Sequence, residues 1–232
     1  MQRVFFPLLT GVLFTTFLAA QTGQPLDCWG TYYYIPTVDA QATGVPLLDE
    51  NERPLGPLLA PETWCAAAIE GTVAVRVGEF VRLFDYAGRS PNLQYDCRRC
   101  ARFQNYAGYE KTGRVLWQPT EGFGLGVRNY RKVPFRTVAV DPELIPYGSV
   151  LYVPAARGHS YVDENGRDRT HDGYFFAADT GSFIKGNHLD FFLGFSQLPP
   201  FDFVRSRADH TFEVYLVEDA EIAWSLARLH GK

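Results

Sequence analysis

The chain has 232 residues, enough for one large domain or two small ones. Hydrophobic residues make up 46 % and charged residues 21 %, so a buried core is expected; aromatic residues, at 15 %, are abundant. The net charge of −4 gives no electrostatic case for binding nucleic acid or an anionic surface.

The N-terminus reads as a targeting segment. Arg3 supplies a short basic region, Val4 to Leu18 is apolar apart from Thr10, Thr15 and Thr16, and Ala19-Ala20 offers small residues for cleavage. The apolar run is short for a bilayer span, so residues 1–20 are expected to be a signal peptide. That places the mature chain outside the cytoplasm, secreted, periplasmic or on the cell envelope, with no stable membrane insertion after cleavage.

Trp29 to Ile35, "WGTYYYI", is aromatic and β-prone and ends at Pro36. Residues 40–62 are rich in proline and glycine and read as loop. Gly71 to Leu83 alternates like a strand pair broken at Gly78. Residues 85–130, rich in Gly, Tyr, Asn and Arg, suit turns and binding loops. Further on, Phe135–Val140 reads as a strand, Asp141–Ser149 as a two-proline turn and Val150–Pro154 as a second strand. A polar excursion with a hairpin tip at Glu164-Asn165-Gly166 leads to a third strand, "YFFAAD", and a fourth follows at Phe212–Val217. The tail alone, Asp219 to Leu229, reads as a helix, with Ile222, Leu226 and Leu229 at helical spacing. Many short strands with glycine and proline turns imply a mainly β barrel or sandwich.

Four cysteines remain after the leader: Cys28, Cys65, Cys97 and Cys100. In an exported chain an even number is expected to pair, here as two structural disulfides, and the sequence does not choose among the three connectivities. A metal or redox reading of Cys97-Arg-Arg-Cys100 lacks a second ligand pair and a helical or βαβ setting.

The acids carry the functional signal. Asp179-Thr180-Gly181-Ser182 reads like an aspartic-protease loop, but that chemistry needs two such loops sharing one proton, and the chain has one. The triplet also has a plain use as a turn: Asp179 and Thr180 bond backbone amides, and Gly181 would permit a positive φ. Asp141, before a proline at a strand end, is equally a turn starter. Asp190 differs, because Leu189, Phe191 and Phe192 surround it. Half-buried on a strand, it would favour its neutral form and suit general-acid cleavage of a glycosidic bond.

In order, "TVAVDPELIPYGSVLYVP", "AADTGSFIKGNHLDFFLG" and "FEVYLV" resemble the three-aspartate (3D) domain that closes the A family of membrane-bound lytic transglycosylases. The name-giving acids fall on Asp141, Asp179 and Asp190, and "WGTYYY" resembles the domain's opening strand. The resemblance implies a double-psi β-barrel. Residues 21–232 would form one such domain, with insertions around 36–131 and 154–173 and a short C-terminal helix. It implies a peptidoglycan lytic transglycosylase that cuts between N-acetylmuramic acid and N-acetylglucosamine and forms a 1,6-anhydro ring. Asp190 would be acid then base, with Asp179 and Asp141 as helpers. Thr31, Tyr33, Thr180, Gly181 and Lys185 would line the substrate. Lys185 has the alternative of a solvated turn lysine, and Thr31 or Tyr33 would face the cavity only in the right register. No cofactor is expected. A metal at His188 with Asp190 and His171 finds no ligand spacing in the other histidines. The partner is the glycan strand and the chain a monomer. The competing readings are a non-catalytic secreted glycan-binding barrel and a structural or inhibitory secreted protein.

Overall fold

The computed structural model describes residues 24–163, 165–198 and 201–232, so the leader read at 1–20 lies outside them. The first strand, β1 (Leu26–Tyr33), belongs to the barrel. The chain then leaves it to build a second lobe: β2 (Thr37–Asp39), β3 (Val45–Leu48), β4 (Pro54–Leu59), helix α1 (Pro61–Glu70), β5 (Thr72–Val77), β6 (Phe80–Arg89), short helix α2 (Tyr109–Thr112) and β7 (Val115–Thr120). It returns as β8 (Thr137–Ala139) and β9 (Val150–Tyr152). A small hairpin, β10 (Ser160–Val162) and β11 (Asp168–Thr170), precedes β12 (Tyr174–Asp179), β13 (His188–Phe192), β14 (Phe212–Val217) and helix α3 (Ala220–Leu229).

The barrel closes in the order β1-β13-β8-β12-β9-β14. Two pairs run parallel, β1 with β13 and β12 with β8, and the others antiparallel. This is the closed mainly β barrel expected, with α3 as the short C-terminal helix. Side-chain alternation explains the near-continuous apolar strands. In β12, Phe175 and Ala177 join the barrel's inner core, while Phe176 and Ala178 pack in a separate cluster with Leu226 of α3. In β13, Leu189 and Phe191 point inward with Phe175, Phe201 and Phe212, and the opposite face carries Asp190 and Phe192.

The second lobe has its own core. Its sheet runs β2-β5-β6-β7, and the β3-β4 hairpin and α1 pack against it through Leu47, Leu59, Trp64, Val73, Phe84 and Trp117. The reading of 40–62 as loop is corrected here: β3 and β4 occupy much of it despite Pro46, Pro54 and Pro57, because a two-stranded hairpin leaves edges where a missing N–H costs little. Helix α1 was also unforeseen. Its signals are Pro61 in the first turn and Gly71 (φ 80°) just past the end. The lobes meet on a third cluster, where Tyr33, Ile35 and Phe192 from the barrel side bury Ala74 of β5.

The cysteine expectation is half wrong. Cys65 of α1 and Cys97 form one disulfide across 32 residues of sequence, but Cys28 and Cys100 are free and buried. Cys28 lies in the barrel core and Cys100 in the core of the second lobe, so they cannot pair. Both act as small apolar residues. Burial, helped by the charge of Asp27, pushes the Cys28 thiol up to about 12, which leaves it unreactive.

Candidate active site

Strand register builds the site. Thr31 of β1 pairs with Asp190 of β13, Asp190 pairs with Ala139 of β8, and Ala139 pairs with Asp179 of β12. Thr31, Asp190, Ala139 and Asp179 therefore form one row across four neighbouring strands. Two strand spacings separate the acids, about 9–10 Å between their Cα atoms. The acids are not built as a face-to-face protease pair.

Each acid is held differently. The Thr31 hydroxyl lies 2.6 Å from Asp190 Oδ1 and 2.9 Å from His188 Nε2. His188 is stacked on Trp29, with ring centroids 3.6 Å apart, and its Nδ1 faces the Phe183 carbonyl at 3.3 Å. Burial lowers the His188 pKa, which keeps the ring neutral. The Thr31 hydroxyl donates to Asp190 Oδ1. Asp190 is half-buried, and burial pushes it up to about 7; the Thr31 bond opposes this and the charge of Asp179 adds to it. Burial likewise raises Asp179, against the Lys132 charge and the Tyr33 bond. The Tyr33 hydroxyl donates to Asp179 Oδ2 (2.7 Å) and the Thr180 amide to Oδ1 (2.9 Å).

Asp141 has another place. It is buried, accepts the Gly186 amide at 2.8 Å, and pairs with Lys185 Nζ at 3.7 Å. The Gly186 amide, first among several donors, holds its carboxyl below the usual range. Gly186 adopts φ +60°, the left-handed conformation that turns this amide toward the acid. Asp141 and Lys185 thus fasten the turn ahead of β13 and stand outside the cleft lining. Gly181 has no positive φ, contrary to expectation; a Cβ there would lie 2.7 Å from Ile184 Cγ1, so it is small to admit that side chain.

The cleft has a volume of about 530 Å³ and lies between the lobes. The barrel contributes Asp179, Asp190 and the 180–184 turn; the second lobe contributes Glu70, Asp85, Tyr86 and Arg89. Thr31 and Tyr33 reach it only through the acids they hold, whereas Thr180 and Gly181 line it directly. Arg89 crosses to the barrel, donating from Nη2 to Ser182 Oγ at 3.2 Å. A buried network stiffens one wall. Lys132 Nζ sits 3.2 Å from Asp85 Oδ1 and also donates to Thr72, while the Thr72 hydroxyl and the Leu125 amide donate to Asp85.

The sequence reading missed Glu70, Asp85, Lys132 and Ala139. For Ala139 a signal existed: it is the outward position of the strand that leads into Asp141.

Residues 136–199 match the family model of the 3D domain. No curated protein matches the sequence. Solved structures share the fold, among them the following two. The Escherichia coli MltA structure with bound chitohexaose aligns with a TM-score of 0.52 at 17 % identity, over 83 % of this chain and 71 % of that one. A membrane-bound lytic murein transglycosylase from Agrobacterium tumefaciens aligns with a TM-score of 0.50 at 14 % identity, over 88 % and 78 %. Asp141, Asp179 and Asp190 all fall inside the matched segment, so the chain carries a 3D domain on a barrel fold similar to that of these two enzymes.

Proposed function

We propose that the protein is a peptidoglycan lytic transglycosylase that acts outside the cytoplasm, with Asp190 as its catalytic acid and base. The observation that carries this is a half-buried carboxyl, pushed up to about 7, facing a cleft of about 530 Å³ within a 3D domain. A carboxyl near neutrality can both give and take a proton at working pH.

In this reading Asp190 protonates the glycosidic oxygen as the bond from the muramyl anomeric carbon breaks. The resulting carboxylate takes the proton of that sugar's own 6-hydroxyl, whose oxygen bonds to the same carbon and closes the anhydro ring. One bond breaks, one forms, Asp190 ends protonated again and no water is consumed. Ordinary glycosidases use two carboxylates at set separations; an intramolecular hydroxyl dispenses with the second. Asp179, fixed by Tyr33 and Thr180, supplies negative potential near the developing cation and raises the proton affinity of Asp190. Asp141 and Lys185 are positioning residues that set the turn before β13. Thr180 and Gly181 contact the glycan.

Digestion of purified sacculi followed by mass spectrometry tests this. Anhydromuropeptides are expected, and far fewer from Asp190→Asn. Products carrying an added water would reject the ring-closing mechanism. Glycan binding with no product would favour a non-catalytic binding barrel.

A further inference from the structure

Glu70 is an acid of the cleft that the mechanism above does not use. Its place runs against local preference. As the last residue of α1 it sits at the negative end of the helix dipole, where a cation is favoured, and the last turn of α1 has no basic residue. Gly71, left-handed at φ 80°, ends the helix there and sends the chain into β5. Glu70 Oε2 accepts the Tyr34 amide at 3.2 Å. Tyr34 directly follows β1, where Thr31 bonds Asp190 and Tyr33 bonds Asp179. Three residues within one four-residue stretch, Thr31, Tyr33 and Tyr34, therefore tie together three carboxyls from three elements: β13, β12 and α1.

We propose that Glu70 is a positioning residue for Asp190: an acid supplied by the second lobe that shares the cleft's negative charge with the barrel's acid. The proposal rests on Asp190 being the group that moves the proton in glycan cleavage. Asp190 from β13 and Lys132 from the segment before β8 line the same cleft as Glu70, and their charges act on it together with that of Arg102, between β6 and α2. Facing Asp190 are Asp179 from β12 and Thr31 from β1, with neutral His188 behind Thr31. Burial pushes Glu70 up to about 7; the Tyr34 amide opposes this, the charge of Asp190 adds to it, and the two cations oppose it.

Two repelling acids of similar proton affinity lose their protons in two steps that belong to the pair. A charged Glu70 favours the proton on Asp190 before bond cleavage. After donation the same repulsion makes Asp190 a stronger base toward the 6-hydroxyl. The second lobe thus assists both halves of the reaction without touching the reacting atoms.

The test is a carboxyl-carbon NMR titration of the full chain, wild type against Asp190→Asn. Removing the Asp190 charge should lower the Glu70 midpoint by about one pH unit; an unchanged midpoint overturns the proposal. Kinetics give a second readout. Glu70→Gln keeps an acceptor for the Tyr34 amide, and it should shift the alkaline limb of kcat/KM down by about half a unit while KM stays constant. An unmoved limb also overturns the proposal. Coupled midpoints in a protein that makes no anhydro product would uphold the pair and reject the glycan-cleavage reading instead.

Discussion

The barrel and the second lobe solve the same stability problem in different ways. The barrel has no open edge, and its core is a set of interlocking rings, with Phe175 and Phe191 centroids 4.9 Å apart and Phe201 packed on both. Its one cysteine, Cys28, is a free thiol. The second lobe is an open sheet, ended on one side by the three-residue β2, and it is fastened by the Cys65–Cys97 disulfide. The Lys132–Asp85 pair joins the two regions at the cleft. The difference teaches that the proposed proton-handling acids, Asp179 and Asp190, sit on the part whose geometry is fixed by strand pairing, and that the stapled lobe supplies the facing wall of the cleft.

The largest expected effect tests the barrel alone. Asp190→Asn should reduce anhydro-product formation by about 10³-fold. The same change should stabilise the fold at neutral pH. The folded pKa of Asp190 is raised, from 3.8 to about 7, so the native state binds the extra proton between these values. Its stability therefore falls as pH rises through that window. Asn removes the loss, gaining up to about 4 kcal/mol above pH 7 and almost nothing below pH 4. Denaturant melts at several pH values check this, and a gain that does not depend on pH would break the assignment of the buried acid.

Next comes the joint between the regions. Lys132→Met leaves Asp85 buried without its cation and should cost about 4 kcal/mol. Equilibrium unfolding measures it, and a cost below about 1 kcal/mol would mean that the hydroxyl and amide donors to Asp85 suffice.

Removing the disulfide as Cys65→Ala with Cys97→Ala should cost about 3 kcal/mol. Hydrogen exchange should then show lost protection in β5 to β7 and little change in the barrel. Equal loss in both regions would show one cooperative unit and dissolve the contrast drawn above.

The smallest effect is the finest probe. Thr31→Val removes a donor that favours the Asp190 carboxylate, so the alkaline limb of the pH–rate profile should rise by about half a unit. This is opposite in sign to Glu70→Gln. Shifts in the same direction would mean that general damage to the cleft, not charge, moves the profile.

The barrel was legible in the sequence because its signals are local. Strand alternation around "TVAV", "VLYV" and "YFFAAD", and an acid between Leu189 and Phe191, can be read within a few residues. In the second lobe the β5–β6 hairpin, broken at Gly78, was legible, but the rest was not. Helix α1 is short and alanine-rich, so its buried Trp64, Cys65, Ala67 and Ala68 give little amphipathic contrast, and the prolines of β3 and β4 look like punctuation. Glu70, Asp85 and Lys132 are ordinary surface types in sequence, and only packing of the two lobes brings them to one cleft. The cysteines misled for a related reason: an even count says nothing about which core each residue enters.

Ala139 has a consequence for what evolution or an engineer could adjust. Ala139 of β8 is the residue between Asp179 and Asp190 in the row, and the backbone ladders on both sides, with a bulge between Ala177 and Asp179, set the gap. Both acids stand on strands of the closed barrel, so their spacing is set within it. If Glu70 acts as proposed, changes to α1 would retune the working pH without rebuilding β13.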